Sequence, residues 1–430
     1  MSWIKKRPLL AVAALAFAVR AAVAVATEFK PLFPAYYYTD ARLANADALT
    51  GLSAVLEGRP VLLTGPLSHR LIVLMTLGTY RVFGPRLLAV KLLNALLGAI
   101  GVTALVAAFA LVFPAPSAFA AGAAIALWPS HVFYTSQNLK ESPTHALASI
   151  GLLAALTLGL RPPESGTRRA ALAALALGSL MGVGFLRGYV LLCLSGALCV
   201  AFALAAARPG ACGRELLVFA VAASAAALYL PASHSLFGAL RRPGDYAGLS
   251  LSDAAGPSLL PLSVQAETNA VSRPTSPEGV TAFRHAYQAY DRRWAAAIAQ
   301  REIGTQIFPD ADFHTWGDVL AFLPKGAFYV LFMPLPGLYP MDGKIGRIAA
   351  SAENLVLLAL ACFAAAGILR GPKTAGRAAL LLYFAAMTTG TSLLEFDLGS
   401  AGRHKLLYLP MLFPFAAEEI MRLLGRKEPA

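Results

Sequence analysis

Charge is scarce in this chain: Asp, Glu, Lys and Arg make up 14% of 430 residues, whereas 57% are hydrophobic. A soluble domain carries roughly 25% charged residues, so the shortage excludes an ordinary soluble enzyme. Cysteine is scarce too. Cys193, Cys199, Cys212 and Cys362 have no metal-ligand or framework spacing, which excludes a disulfide scaffold and a thiolate metal centre. Acidic residues number 23 against 36 basic ones, for a formal net charge of +13. This excess does not point to nucleic acid, because many of the basic residues fall in short loops between apolar segments, the ordinary signature of cytoplasmic loops. Several windows approach the roughly 20 apolar residues that cross a bilayer. The chain reads as an all-α polytopic membrane protein with about ten full crossings and two partial or re-entrant segments.

Loop charge orders the crossings. Lys5, Lys6 and Arg7 precede an apolar run over 9–26, which reads as a retained first helix with a cytoplasmic N-terminus. Signal-peptidase cleavage after Ala-Val-Ala-Thr is the competing reading. Residues 27–66 then form a first outer loop, and 67–83 is expected to return the chain to a cytoplasmic cluster of Arg81, Arg86 and Lys91. The basic loops at 161–169, 208–214 and 370–377 are expected on the same side. One crossing, 143–160, separates Lys140 from Arg161, so Lys140 and Glu141 face outward. With 87–113 as one crossing, 118–139 is expected to dip in and return, broken at Trp128-Pro129. Crossings follow at 170–186, 189–207, 215–231, 348–369, 378–394 and 406–424, with 318–340, rich in Pro and Gly, as an interfacial or re-entrant segment. The chain divides into a transmembrane module at 1–231, a large extracytoplasmic region at 232–318 with a helical stretch near 279–300, and a second transmembrane module at 319–430. Both termini are expected in the cytoplasm.

This topology gathers the unusual ionisable residues on the outer side: Asp40, Asp47, Lys140, Glu141, Arg187, Arg403, His404 and Lys405. Basic residues in outer loops run against the positive-inside rule, and a lipid phosphate at the membrane surface supplies a local reason, since Arg offers a planar donor fork and Lys a point charge. A carboxylate beside them suits a general base. Each residue also has a structural reading. Asp40 follows Tyr36, Tyr37 and Tyr38 in what reads equally as a solvated loop with an aromatic belt, Asp47 as a helix-surface charge, Lys140 with Glu141 as internal glue, and Arg187 and the Arg403 cluster as headgroup anchors.

The order of these features resembles the GT-C superfamily of polytopic membrane glycosyltransferases, in particular bacterial members associated with surface-polysaccharide assembly. The motifs are Asp40 with an amphipathic continuation to Gly58, Leu127-Trp128-Pro129-Ser130, Leu139-Lys140-Glu141 and Leu186-Arg187. Phe332-Met333-Pro334-Leu335-Pro336-Gly337 and Gly399-Ser400-Ala401-Gly402-Arg403-His404-Lys405 complete the set. The resemblance implies a GT-C-like fold and a catalytic acid in the first outer loop, Asp40 with Asp47 as competitor. The Tyr that often follows that acid in the family is replaced by Ala44 or Gly51. Lys140 and Arg403 are the implied donor-phosphate ligands, with Arg187 and Lys405 behind them, and Glu141, His404 and Tyr38 position substrate. Some members use a divalent cation such as Mg or Mn; only Asp40, Asp47 and Glu141 lie near, without a ligand constellation.

The implied activity is inverting transfer of a sugar from a polyprenyl-phosphate donor to a glycan, lipid or protein acceptor, at the extracytoplasmic face of the bacterial inner membrane. Three readings compete with it. A lipid or polysaccharide flippase would place charges near the midplane and show inverted repeats. A polymerase or ligase using diphosphate-linked glycans would still transfer sugar from a lipid, on a different fold. A non-catalytic assembly subunit is the third.

Overall fold

The computed structural model describes residues 8–33, 38–63, 66–208, 213–239, 276–299, 305–342 and 344–425. Lys5 to Arg7, Tyr36, Tyr37, Cys212, the stretch 240–275, Arg426 and Lys427 lie outside them. Among the described residues the chain forms sixteen α-helices and a 3-10 turn, with a single isolated β-bridge. Eight helices are long and apolar enough to cross a membrane: α1 (Pro8–Phe29), α4 (Leu87–Phe109), α7 (Glu141–Leu160), α8 (Gly166–Leu186), α9 (Gly188–Ala206), α10 (Gly213–Ala239, apolar to Leu230), α13 (Ile345–Arg370) and α14 (Ala375–Leu394). The chain is an integral multi-pass membrane protein.

The bundle has two distinguishable ends. At one, Arg377 of α14 lies over the Phe113 ring at 4.5 Å and pairs with Glu418, and Arg370 pairs with Glu419. This is the basic end. At the other, Glu141, Arg187, Glu395 and Arg403 meet, which makes it the site end.

Two sequence expectations are corrected by this geometry, and their effects cancel. Residues 67–83 do not cross. They form the 17-residue helix α3 (Leu67–Phe83), which packs along α2 (Thr39–Leu56) at the site end. His69 contacts Asp47 at 2.7 Å, Tyr80 bonds Asn45, and Thr76 donates to Asn138 at 3.2 Å. Lys91, expected beside Arg81 and Arg86 in the cytoplasm, pairs with Glu28 at the far end of α1, at 2.8 Å. The physical reason is amphipathicity: α3 has a buried face of Ile72, Val73, Thr76 and Tyr80, while Leu74, Val82 and Phe83 are exposed, the pattern of a helix lying in an interface.

The second correction concerns the segment before Lys140. It is a broken pass rather than a dip, built from α5 (Ala115–Leu127) and α6 (Pro129–Thr135). It starts beside Arg377, where Phe113 sits, and finishes at Asn138 and Lys140 at the site end. Pro129 removes a backbone donor and forces Trp128 to an extended ψ of 118°, which ends α5. The break is held from both sides. Fully buried Arg20 of α1 donates to Ala126 O (3.2 Å) and Thr135 Oγ1 (2.8 Å) and contacts His131 Nδ1 (2.7 Å). Glu353 of α13 accepts from Ser130 N (2.8 Å) and Oγ (2.6 Å), placing a carboxylate at the start of α6.

The last pass is also broken. It is entered from α15 (Leu398–Lys405) at the site end. Instead of one helix over 406–424, a 3-10 turn (Leu409–Leu412) and α16 (Phe413–Leu423) carry the chain back to the basic end. Non-helical backbone is tolerated at this depth because it is buried in protein. Eight long helices and two broken passes together match the expected number of crossings. The remaining helices, α11 (Pro277–Ala299) and α12 (Trp316–Phe332), pack against the site end of α14. They correspond to the helical stretch expected near 279–300 and the non-crossing segment expected at 318–340.

Candidate active site

Four chain segments converge at the site end, each fixed by a local device. Asp40 sits in the first turn of α2. Lys140 and Glu141 begin α7, where an acid complements the helix dipole. Arg187 is the single residue between α8 and α9. Gly188 leaves room for α10 beside this hairpin, since a Cβ there would lie 2.1 Å from the Tyr229 hydroxyl. Arg403 and His404 lie in the last turn of α15, whose start is capped by Asp397 accepting from Ser400 N at 3.0 Å.

Glu141 is the hub. Fully buried, its Oε1 accepts from Arg403 Nη2 (3.0 Å) and Nε (3.2 Å) and also from Arg187 Nη2. Arg403 Nη1 reaches on to Asp40 Oδ2 at 2.5 Å. Arg187 Nη1 donates to Tyr189 Oη (2.8 Å) and contacts His404 Nε2 (2.6 Å). Each guanidinium has five donors, and three on each are engaged, so donors remain on both. Lys140 lies within the field of all four charged neighbours, yet its ammonium makes no ion pair or hydrogen bond among the described residues.

Burial is the largest influence on Asp40 and pushes its carboxyl up, but the charge and hydrogen bond of Arg403, with the charge of Lys140, outweigh it and hold the group below the usual carboxylate range. Burial, reinforced by Arg187, brings Lys140 down to about 8 against the opposing pull of Glu141 and Asp40. His404 is likewise lowered, by burial first and by Arg187, with Glu395 opposing.

The structure therefore brings together Asp40, Lys140, Glu141, Arg187, Arg403 and His404. It does not bring Asp47 there, since that acid faces His69 between α2 and α3. Lys405 is turned away from the cluster, donating to Asn354 Oδ1 (2.6 Å) and Leu331 O (3.2 Å). Tyr38 accepts from Leu32 N (3.1 Å) and Phe33 N (3.3 Å) and stacks edge-on against Phe133, which anchors the approach to α2. Glu395, bonded to His404 Nδ1, joins the cluster without having been singled out in the sequence. Its signal was legible: an acid at the end of an apolar run, in the same outer loop as Arg403. Asp40 and Glu141 each give one oxygen to Arg403 while Asp47 faces His69, so the three acids do not meet at one point, and among the described residues no three or more of His, Cys, Asp and Glu are grouped as metal ligands.

No family model and no curated protein matches the chain. Solved structures do. The Archaeoglobus fulgidus oligosaccharyltransferase tethered to an acceptor peptide superposes with a TM-score of 0.51 at 16% identity, covering 99% of this chain and 51% of that one. The same enzyme with an inhibitory peptide and a dolichol-phosphate gives a TM-score of 0.46 at 15% identity, covering 98% and 51%. ArnT from Cupriavidus metallidurans bound to undecaprenyl phosphate gives 0.41 at 14% identity, covering 99% and 79%. The chain spans about half the length of the oligosaccharyltransferase. At this identity the likeness is one of fold alone: an all-helical, polytopic architecture shared with the oligosaccharyltransferase.

Proposed function

We propose that this chain is a membrane glycosyltransferase that moves a sugar from a polyprenyl-phosphate donor to an acceptor hydroxyl or amide at the extracytoplasmic face. The observation that carries this reading is the wall of Lys140, Arg187 and Arg403 around one partly exposed acid, Asp40, with the ammonium of Lys140 uncommitted. A wall of cations with donors to spare suits a phosphate, and the one partly exposed carboxylate beside it suits a base. The basic loops at the opposite end support an outer location for this site. The fold likeness to an oligosaccharyltransferase is consistent with sugar transfer.

The step is a single displacement. The acceptor attacks the anomeric carbon as the bond from that carbon to the phosphate oxygen breaks, which inverts the configuration. The acceptor's proton passes to Asp40, and the electron pair leaves with the phosphate. Arg403, Arg187 and Lys140 stabilise the charge that grows on the leaving group, where preorganised donors act most strongly. At rest Arg403 holds Asp40. A donor phosphate that recruits the remaining donors of Arg403 loosens this pair and releases Asp40 for the acceptor.

The test is transfer of labelled sugar by the purified chain in nanodiscs, with polyprenyl-monophosphate and polyprenyl-diphosphate donors offered in parallel. The reading predicts turnover on the monophosphate donor and weaker donor binding in Lys140→Ala. Turnover on the diphosphate alone would favour a polymerase or ligase. Donor-independent movement of lipid between leaflets would favour a flippase.

A further inference from the structure

Beyond the anion site, the most heavily committed buried cation at this end is Arg284 of α11. It is fully buried and, among the described residues, its guanidinium hydrogen-bonds only carbonyls: Nη1 donates to Leu393 O (2.6 Å) and Glu395 O (3.5 Å), Nη2 to Ile307 O (3.0 Å) and Phe308 O (2.8 Å). Leu393 lies in the last turn of α14 and Glu395 just beyond it, where carbonyls lack helical partners. The same short stretch is strapped from the other side. Ile307 N donates to Phe396 O at 2.6 Å, Leu398 N donates to Thr305 O at 3.0 Å, and Gln306 bridges Asp397. Residues 305–308 and Arg284 thus clasp the link between α14 and α15, and Glu395 sits inside the clasp.

Glu395 in turn decides a proton position. A guanidinium N–H can only donate, so His404 Nε2, facing Arg187 Nη1 at 2.6 Å, must be the bare nitrogen. The ring proton then lies on Nδ1, and its acceptor is Glu395 Oε1. With Nη1 of Arg187 held by His404 and Tyr189, Nη2 is aimed at Glu141 and the cluster.

We propose that Glu395 is a positioning residue of the anion site, locking His404 in the Nδ1–H tautomer that aims Arg187, and that Arg284 holds Glu395 in place from the outer region. The effect on transfer rests on the reading of Arg187 as part of a donor-phosphate wall; the tautomer does not.

The two parts are tested separately on the full chain. Nitrogen NMR of histidine-labelled protein, with the His404 signal assigned by its loss in His404→Asn, is expected to show neutral imidazole protonated on Nδ1. Glu395→Leu is expected to abolish that preference, and Glu395→Gln, which still offers an acceptor oxygen, to retain it. In the transfer assay Glu395→Leu and Arg284→Ala are expected to raise donor KM about tenfold or more, the scale of a lost charge-assisted hydrogen bond, with a smaller change in kcat and near-normal values for Glu395→Gln. Wild-type His404 protonated on Nε2 would overturn the proposal, and this reading stands on the wild type even if Glu395→Leu does not fold. An unchanged donor KM in folded Glu395→Leu with an altered tautomer would overturn the positioning role. Absence of transfer by the wild type, with the Nδ1–H tautomer present, would instead overturn the transferase reading.

Discussion

Asp40 and Asp47 share one helix but have opposite surroundings. Asp40 meets Arg403 and the field of Lys140, whereas Asp47 faces His69 on the other flank. Asp40→Asn is therefore expected to reduce turnover by about 10²–10⁴, the contribution of a general base, while Asp47→Asn leaves it within a few-fold; the transfer assay separates them. Lys140 gives a pH test. Its position near 8 means that raising pH through about 8 strips its charge, so kcat/KM for the donor should fall there. Lys140→Arg should remove this falling limb, because Arg keeps its proton. A limb that survives the change would implicate Lys405, which burial also lowers to about 8. Glu141→Gln leaves buried Arg187 without its counter-ion and half-buried Arg403 with Asp40 alone, and is expected to destabilise the fold by about 3–5 kcal/mol, read by detergent or thermal unfolding. The sequence exposed most of these residues, because ionisable groups beside apolar runs stand out. It could not separate Asp40 from Asp47, or Arg403 from Lys405, because choosing between neighbours on a short helix depends on which side of that helix faces the bundle.

At the scale of elements, α2 and α3 form a pair of interfacial helices where one crossing was expected. The residue-count signal failed because α3 is 17 residues long with a moderately apolar face, near the length of a span, and because three basic residues at 81–91 imitate a cytoplasmic loop. Its contacts with Asn45, Asp47 and Asn138 are long-range and leave no local trace. The second misreading, of 115–135, arose from Pro129, which suggests a turn-back as readily as a kink. Each shifts the crossing count by one, so Lys140 still falls at the end of the bundle opposite Arg377. Single cysteines at positions 57 and 86, in a chain stripped of its four native cysteines, should label from the same side with an impermeant maleimide, and a cysteine at 169 from the opposite side. Opposite labelling of 57 and 86 would restore α3 as a crossing.

For the whole molecule, the division into a basic end and a site end was visible in the sequence as loop charge, and the broken passes as Pro-containing motifs. The clasp by the outer region was not, since it runs through backbone carbonyls that any residue supplies. The cationic wall has a consequence for the catalytic cycle. Under the proposed function the donor is a phosphodiester, whereas the lipid phosphate left behind is a monoester able to carry a second negative charge at neutral pH. The spare donors of Lys140, Arg187 and Arg403 would hold that product more firmly than the donor it came from. On that reading carrier release, rather than bond-making, is expected to limit turnover. Rapid mixing should show a burst of about one sugar per enzyme before a slower steady rate, and added polyprenyl phosphate should slow the steady rate while sparing the burst of enzyme already loaded with donor.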